Sequence, residues 1–179
     1  MPVRTVWLGD RPPELEALLA RRHALGQDRF DEVWEGEYHM APMARPAHGY
    51  VAAQLVRVLA PFAERAGLVG TEAFNLGEAG DYRVPDGGYH RRLPEELYVP
   101  TAAIVVEVVS PDDETWAKFP FYAAHRVEEL CTAEPERAVL RWWLLRHDGY
   151  AESERSPLLA VSVAEVSSRI DWPTGLVDS

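Results

Sequence analysis

The sequence predicts a mixed α/β (α+β) fold, in which helices flank a mixed β-sheet and an N-terminal helix and a β-hairpin come first. Three observations predict it. Residues 47–66 carry apolar side chains at helical spacing, residues 102–109 form an almost continuous apolar run, and a strand–helix–strand order spans residues 102–132. Because strands joined through a helix usually pair in parallel, this order favours at least one parallel pair.

The two elements that precede the long helix are short. Two prolines followed by leucines at helical spacing predict an amphipathic helix over residues 12–26, with Gly26 at its end. Residues 31–40 predict a β-hairpin, because apolar strand positions flank a turn at Glu35 and Gly36.

The elements that follow are predicted from the same signals. The long helix over residues 47–66 is expected to end at Gly67 and to be kinked or divided at Pro61. Further strands are expected at residues 72–76, 82–84, 102–109, 127–132, 138–146 and 158–163. A helix is expected after the acidic residues 112–114, and Pro120 is tolerated if its regular part begins near Lys118.

Composition limits the class of protein. The chain has 179 residues, 47% of them hydrophobic, which suffices for one core, so we expect a single domain over residues 1–179. No apolar segment has the length of a signal peptide or of a membrane span, and we expect a soluble, cytoplasmic protein. The single cysteine, Cys131, excludes an internal disulfide and any cysteine-based metal cluster within the chain.

The net charge of −11 argues against a sequence-independent grip on nucleic acid, which depends on neutralising phosphates. A cleft in an acidic protein can still be basic locally. Arg83, Arg91 and Arg92 flank Asp86 in the sequence, and we expect them to supply such a patch.

The most informative residue is Glu107, a carboxylate inside the apolar run of residues 102–109. Because a buried charge is costly unless it is paired or binds a cation, Glu107 requires a partner. The candidates are Asp86, which follows Pro85 at a predicted strand end, and Lys118 in the next helix. Two carboxylates that share Mg²⁺ or Mn²⁺, with an ammonium beside them, are the minimal set for metal-assisted phosphodiester hydrolysis.

Spacing alone leaves a second interpretation open with about equal support. In that interpretation Glu107 and Lys118 form a buried ion pair with a structural role, and Asp86 makes a turn with Gly87.

Three segments around these residues form a specific pattern. They are residues 82–86 (Tyr-Arg-Val-Pro-Asp), residues 105–118 (Val-Val-Glu-Val-Val-Ser-Pro, ending at Lys118) and residues 121–125 (Phe-Tyr-Ala-Ala-His). Together they resemble the Uma-two family of restriction endonucleases, within the PD-(D/E)XK nuclease superfamily. Residues 30–37, followed by Met40, Pro42 and His48, resemble the opening hairpin and first core helix of that family. The similarity gives a family-like core over residues 28–135, an N-terminal helix extension over 1–27 and C-terminal strands and a tail over 136–179.

The resemblance implies a restriction-endonuclease-like core, with Asp86 and Glu107 as metal ligands and Lys118 as the catalytic lysine. It implies a Mg²⁺-dependent (or Mn²⁺-dependent) endonuclease with DNA as its substrate, acting as a homodimer so that related sites cut both strands. In the common superfamily pattern the lysine lies two residues after the acid, where this chain has Val109. Members of the family resemble this chain in supplying it from the next helix, which Lys118 fits.

Three further residues are candidate accessory groups. Glu32 on the hairpin and His48 at the start of the long helix could assist metal binding or proton transfer. Glu114 could orient Lys118 from one turn away. The alternative is a capping or packing role for His48 and a solvated first-turn acid at Glu114.

Two functions therefore remain from the sequence. The first is a metal-dependent endonuclease. The second is a catalytically inactive nuclease-fold protein that acts as a binding or assembly module. The net charge favours the second, as does a departure at residues 126–135, where the family usually has a glycine before the valine and a strand ending in Asp-Pro.

Overall fold

The computed structural model describes residues 6–7, 12–41, 44–110 and 114–173. Its helices are α1 (Pro13–Ala24), α2 (Pro46–Arg65), α3 (Phe119–Ala124) and α4 (Val163–Ser167). Its strands are β1 (Val6–Trp7), β2 (Glu32–Trp34), β3 (Glu37–His39), β4 (Val69–Glu72), β5 (Asn75–Glu78), β6 (Asp81–Arg83), β7 (Gly87–His90), β8 (Tyr98–Val99), β9 (Ile104–Val108), β10 (Glu129–Glu134), β11 (Val139–Arg146), β12 (Gly149–Ser153), β13 (Arg155–Ser156) and β14 (Val161–Ser162).

Within the described ranges the strands form two six-stranded sheets and one small two-stranded sheet. The hairpin sheet has the order β1-β3-β2-β6-β5-β8, and the central sheet has the order β12-β11-β10-β9-β7-β4. In the central sheet, β9 pairs in parallel with β10 and antiparallel with β7. The predicted parallel pair and the central position of the strand that carries Glu107 are therefore confirmed.

One face of the central sheet packs against the long helix α2. Val51, Leu55 and Leu59 of the helix join Ile104 and Val106 of β9 in the larger apolar core. The helix ends near its predicted bound, and Gly67 has the left-handed φ of +69° that suits a helix terminus. The helix continues through Pro61, so the expected division there does not occur.

The opposite face of β9 packs against α3. Val105 joins Phe121, Tyr122 and Leu130 in a second apolar core. The alternation of side chains along β9 is as predicted, and it directs Glu107 to the α3 side with Val105. The regular helix begins at Phe119, which makes Pro120 the second residue of α3 and removes its conflict with helical hydrogen bonding.

Three predictions about peripheral elements need correction. The strand expected at residues 72–76 is interrupted at residues 73–74, because β4 and β5 belong to different sheets. No residue of α1 is buried, and an ion pair between Arg22 and Asp31 (2.7 Å) holds the helix where an apolar face was expected. The strand expected at residues 158–163 is reduced to β14, because Ala160 has a φ of +53° and the Ser162 hydroxyl caps α4.

The chain crosses from the hairpin sheet to the central sheet between β6 and β7, at residues 84–86. This crossing brings Asp86 to the edge of β7, beside β9. The hairpin strand β2, the crossing and the end of β9 thus meet in one region.

Within the part of the chain that the structure describes, no helix combines the length and the apolar character that a membrane crossing requires.

The close approach of β7 to its neighbours predicts a stability effect at Gly88. A Cβ atom at this position would lie 2.6 Å from Cε1 of Phe74 and 3.0 Å from the backbone oxygen of Ile104. Gly88→Ala is therefore expected to lower the free energy of unfolding by about 1–3 kcal/mol in urea denaturation. Gly49→Ala is the matched control, because a Cβ there meets nothing within 4 Å and should stabilise α2 by about 0.5–1 kcal/mol. Equal stability of the two variants would refute this account of the packing.

Candidate active site

Glu107 lies on β9 with 4% of its surface exposed. The Tyr122 hydroxyl donates a hydrogen bond to its Oε1, and Nζ of Lys118 lies 3.3 Å from the same oxygen. Both contacts use Oε1, and within the described residues Oε2 makes no hydrogen bond. The partner that the sequence requires for Glu107 is present.

Lys118 is held between two carboxylates. Its Nζ lies 2.8 Å from Oε1 of Glu32 and 3.3 Å from Oε1 of Glu107, and its side chain is only 8% exposed. It is the last residue of a 3₁₀ turn, Thr115–Lys118, that leads directly into α3. The start of α3 therefore fixes the ammonium at the boundary between the two sheets.

Glu32 belongs to the hairpin strand β2 and is itself held by three donors. Its Oε1 accepts a hydrogen bond from the backbone N–H of Val84 (2.8 Å) as well as the ammonium, and its Oε2 accepts one from Nε1 of Trp34 (2.7 Å). The structure thus brings this predicted accessory residue into the Glu107–Lys118 pair.

Each carboxylate oxygen of Asp86 accepts one hydrogen bond. Its Oδ2 accepts a hydrogen bond from the backbone N–H of Val108 (2.7 Å), and its Oδ1 accepts one from Nε2 of His48 (2.8 Å). Nδ1 of His48 lies 3.1 Å from Oγ of Ser110. About a quarter of the Asp86 side chain is exposed, so this carboxylate is the most accessible acid of the three.

The third predicted accessory residue, Glu114, lies beside the hairpin. Its Oε2 is 3.5 Å from Nδ1 of His39, a buried imidazole stacked on Trp34. Its expected role in orienting Lys118 stays a prediction. The neighbouring acids Asp112 and Asp113 lie outside the described residues.

The basic patch expected around Asp86 is not formed by Arg83 or Arg91, whereas Arg92 is exposed and its part in such a patch stays a prediction. Arg83 is 5% exposed, because its guanidinium lies over the rings of Trp34 and Phe121 and pairs with an aspartate of its own strand, β6. Arg91 pairs with Glu128 at 2.6 Å. Successive side chains of a strand point to opposite faces, and Arg83 lies on the inner face of β6, between the hairpin sheet and α3.

Among the described residues, the carboxylates of Glu32 and Glu107 both pair with the Lys118 ammonium, and Asp86 adds a third negative charge near Glu107. Burial first, and then the negative charges of Asp86 and Glu32, raise the pKa of Glu107 to about 8 against the opposing effects of Lys118 and Tyr122. The pKa of the Tyr122 hydroxyl is well above its usual value for the same reasons, burial first and the carboxylates next. The surroundings of Glu107 thus favour the binding of a proton or a metal cation.

Asp86 and Glu107 are the carboxylates that could hold a hard cation. Within the described residues, no three His, Cys, Asp or Glu side chains are grouped closely enough to hold a metal by themselves. Such a pair suits Mg²⁺, which commonly binds through one or two carboxylates and keeps several waters.

Two features of the site are visible in the sequence but are not among the predictions. Lys118 is the only lysine among the 18 basic residues of the chain, so arginine serves at every other basic position. Tyr122 lies four residues after Lys118, the spacing that places two side chains on one helical face. The contacts from Trp34, Val84 and Ser110 depend on tertiary structure and left no such signal.

Comparisons with known proteins agree with this fold. Residues 13–170 match the model of the Uma2 family, described as "Putative restriction endonuclease". The chain is similar to a solved structure described as "a putative nuclease belonging to DUF820" from Anabaena variabilis, with a TM-score of 0.63 and 15% sequence identity. This similarity covers 78% of the chain and 90% of the solved one, and at that identity it shows the fold alone. No curated protein matches the chain. The predicted fold class is confirmed.

The raised pKa of Glu107 predicts a pH-dependent stability in metal-free buffer. Between the ordinary pKa of 4.5 and the folded value of about 8, the folded protein holds a proton that the unfolded chain has released. Stability should therefore fall as pH rises through this window, by at most about 1.4 kcal/mol per pH unit, and Glu107→Gln should lack this fall.

Urea denaturation between about pH 5 and about pH 9 measures the difference between the two proteins. Val105→Ala, a neutral change on the same face of β9, should keep the pH profile of the wild type at lower stability. A Glu107→Gln profile parallel to the wild type would contradict the raised pKa.

Proposed function

The chain belongs to the Uma2 family, and from this membership we propose that it is a metal-dependent endonuclease that hydrolyses phosphodiester bonds of DNA. One observation carries the proposal. The Lys118 ammonium lies between Glu107 and Glu32, while a hydrogen bond from the Val108 N–H holds Asp86 at the end of the same strand. Two acids and an ammonium that are distant in sequence are therefore neighbours around β9.

The donor set supports a divalent cation as the cofactor. Asp86 and Glu107 would hold Mg²⁺ or Mn²⁺, and the positive charge of the ion would favour the ionised form of Glu107, whose pKa is raised by burial and by the charge of Asp86. When bound, such an ion would polarise a phosphoryl oxygen and lower the pKa of a bound water.

The protein residues would position and stabilise the reacting groups. Lys118 would stabilise negative charge on the scissile phosphate, or orient the attacking water, from a position fixed by Glu32. His48 would hold the Asp86 carboxylate in one orientation, which is the usual role of a residue that hydrogen-bonds a metal ligand. Tyr122 would do the same for Glu107.

Cutting of both DNA strands would require two such sites, and we infer a homodimer on that ground. We also infer a cytoplasmic location as part of this proposal.

The second candidate function is a binding or assembly module that has lost catalysis. It is favoured by one observation, namely that Lys118 is already paired with two buried carboxylates. Loss of stability in Lys118→Ala does not separate the two functions, because in both of them its removal leaves two buried acids without their counter-ion. Cleavage and metal binding do separate them.

DNA cleavage tests the proposed function directly. With Mn²⁺, the wild type should nick supercoiled plasmid or cut circular single-stranded DNA. Asp86→Asn, Glu107→Gln and Lys118→Met should each lower the rate by about 10²- to 10³-fold, since each removes charge stabilisation at the reacting phosphate. Glu152→Gln, at an exposed acid on β12, is the control and should retain the rate. Absence of cleavage by well-folded wild type on both substrates would favour the binding module.

Metal binding is tested separately by calorimetric titration with Mn²⁺. The wild type should bind the ion, Asp86→Asn and Glu107→Gln should abolish measurable binding, and His48→Ala should weaken it by about 10- to 100-fold. The Glu152→Gln variant again serves as the control. Equal, negligible heats from the wild type and Glu107→Gln would refute a metal site at this pair.

A further inference from the structure

Four aromatic side chains form a cluster next to Lys118, here called the aromatic platform: Trp116, Phe119, Trp143 and Tyr150. Trp116 packs against Phe119 and Trp143, with ring centroids 5.3 and 5.8 Å apart, and Phe119 packs against Trp143 and Tyr150. The platform has one exposed member, because Trp116 keeps 43% of its surface in solvent. A large indole is thus held in place by its neighbours and remains accessible.

The platform is connected to the candidate active site in two ways. Trp116 belongs to the 3₁₀ turn that ends at Lys118, so only one residue separates the indole from the catalytic lysine. Nε1 of Trp143 donates to the hydroxyl of Thr132 (3.0 Å), and Thr132 is the direct neighbour of Glu107 in the parallel pair of β9 and β10. A nucleotide whose phosphate reached Lys118 would carry its base within reach of Trp116.

Phosphate neutralisation alone is a weak source of affinity in this chain. The net charge is −11, and three arginines have acidic partners within the fold: Arg83 with Asp81, Arg91 with Glu128 and Arg141 with Glu134. A nucleic acid bound here needs an uncharged contribution to binding. Stacking of a base on an aromatic side chain supplies about 1–3 kcal/mol per base and tolerates any sequence.

We propose that Trp116 stacks on an unpaired base of single-stranded DNA, next to the phosphate that Lys118 contacts. This inference rests on the proposed function and names its substrate class. In an intact duplex the faces of each base are covered by its neighbours, whereas a single strand can present a base to the indole. The active site would therefore act on single-stranded DNA, or on unpaired segments within a duplex.

Stacking is tested by combining Trp116 variants with DNA strands that have or lack bases and measuring binding for each combination. Fluorescence anisotropy measures binding, in Ca²⁺, of an oligothymidylate of about 12 nucleotides, of its abasic tetrahydrofuran counterpart and of a duplex of equal length. The wild type should prefer the oligothymidylate over the abasic strand by about 5- to 150-fold. Trp116→Ala should remove most of this preference, and Trp116→Phe should restore part of it.

Controls separate stacking from a change in the position of Lys118. Tyr50→Ala removes another exposed aromatic residue, one that is bonded to Asp171, and should keep the preference. A merely structural effect of Trp116→Ala would weaken binding to the oligothymidylate and to the abasic strand equally, and would overturn the proposal. Oligouridylate in a parallel arm distinguishes DNA from RNA, and tighter binding of RNA would overturn the choice of DNA.

The outcomes also separate this inference from the proposed function. Trp116-dependent preference for bases without any Mn²⁺-dependent cleavage would support the platform and refute the nuclease. Cleavage that depends on Asp86 and Lys118, with duplex bound as tightly as single strand and no effect of Trp116→Ala, would refute the platform and retain the nuclease.

Discussion

The buried ammonium of Lys118 is the interaction on which the architecture of the site depends. Among the described residues it pairs with Glu32 of the hairpin sheet and with Glu107 of the central sheet. Because losing the lysine would leave both buried carboxylates without this counter-ion, the ammonium holds the two sheets and the start of α3 in one arrangement. The chain crossing adds two hydrogen bonds to the same junction, one to Glu32 and one from Val108 to Asp86.

A second buried acid shows why Glu107 differs from a structural carboxylate. Glu129, on the adjacent strand β10, is 3% exposed and accepts hydrogen bonds from Trp142, Ser156 and the backbone of Leu158. These neutral donors use both of its oxygens. Glu107 has one neutral donor, shares its ammonium with Glu32 and faces the charge of Asp86, and burial raises its pKa to about 8. Both oxygens of Glu129 are thus hydrogen-bonded, whereas the surroundings of Glu107 favour binding of a proton or a cation.

The sequence predicted those parts of the structure that local patterns determine. The hairpin, the long helix and the parallel pair around Glu107 follow from periodicity and from turn residues, and the structure confirms them. The inward orientation of Arg83 could not be predicted, because it depends on the packing of the hairpin sheet against α3. The same limit applies to the donors that fix Glu32. The site residues were easier to predict than their surroundings, because a charged residue in an apolar strand must be paired or must bind a cation.

The acidity of the chain and the proposed polyanionic substrate are compatible if positive charge is supplied from outside the protein. The site brings carboxylates together where a divalent ion could compensate their charge, and Arg83 and Arg91 are already paired within the fold. A protein of this kind makes few direct ion pairs with phosphates, so counter-ion release contributes little to its affinity. Its hold on DNA would come from the bound cation and from uncharged contacts, which favours flexible, unstacked strands over a regular duplex. The net charge of −11 is therefore compatible with a nucleic-acid substrate, but it favours single-stranded DNA over a regular duplex.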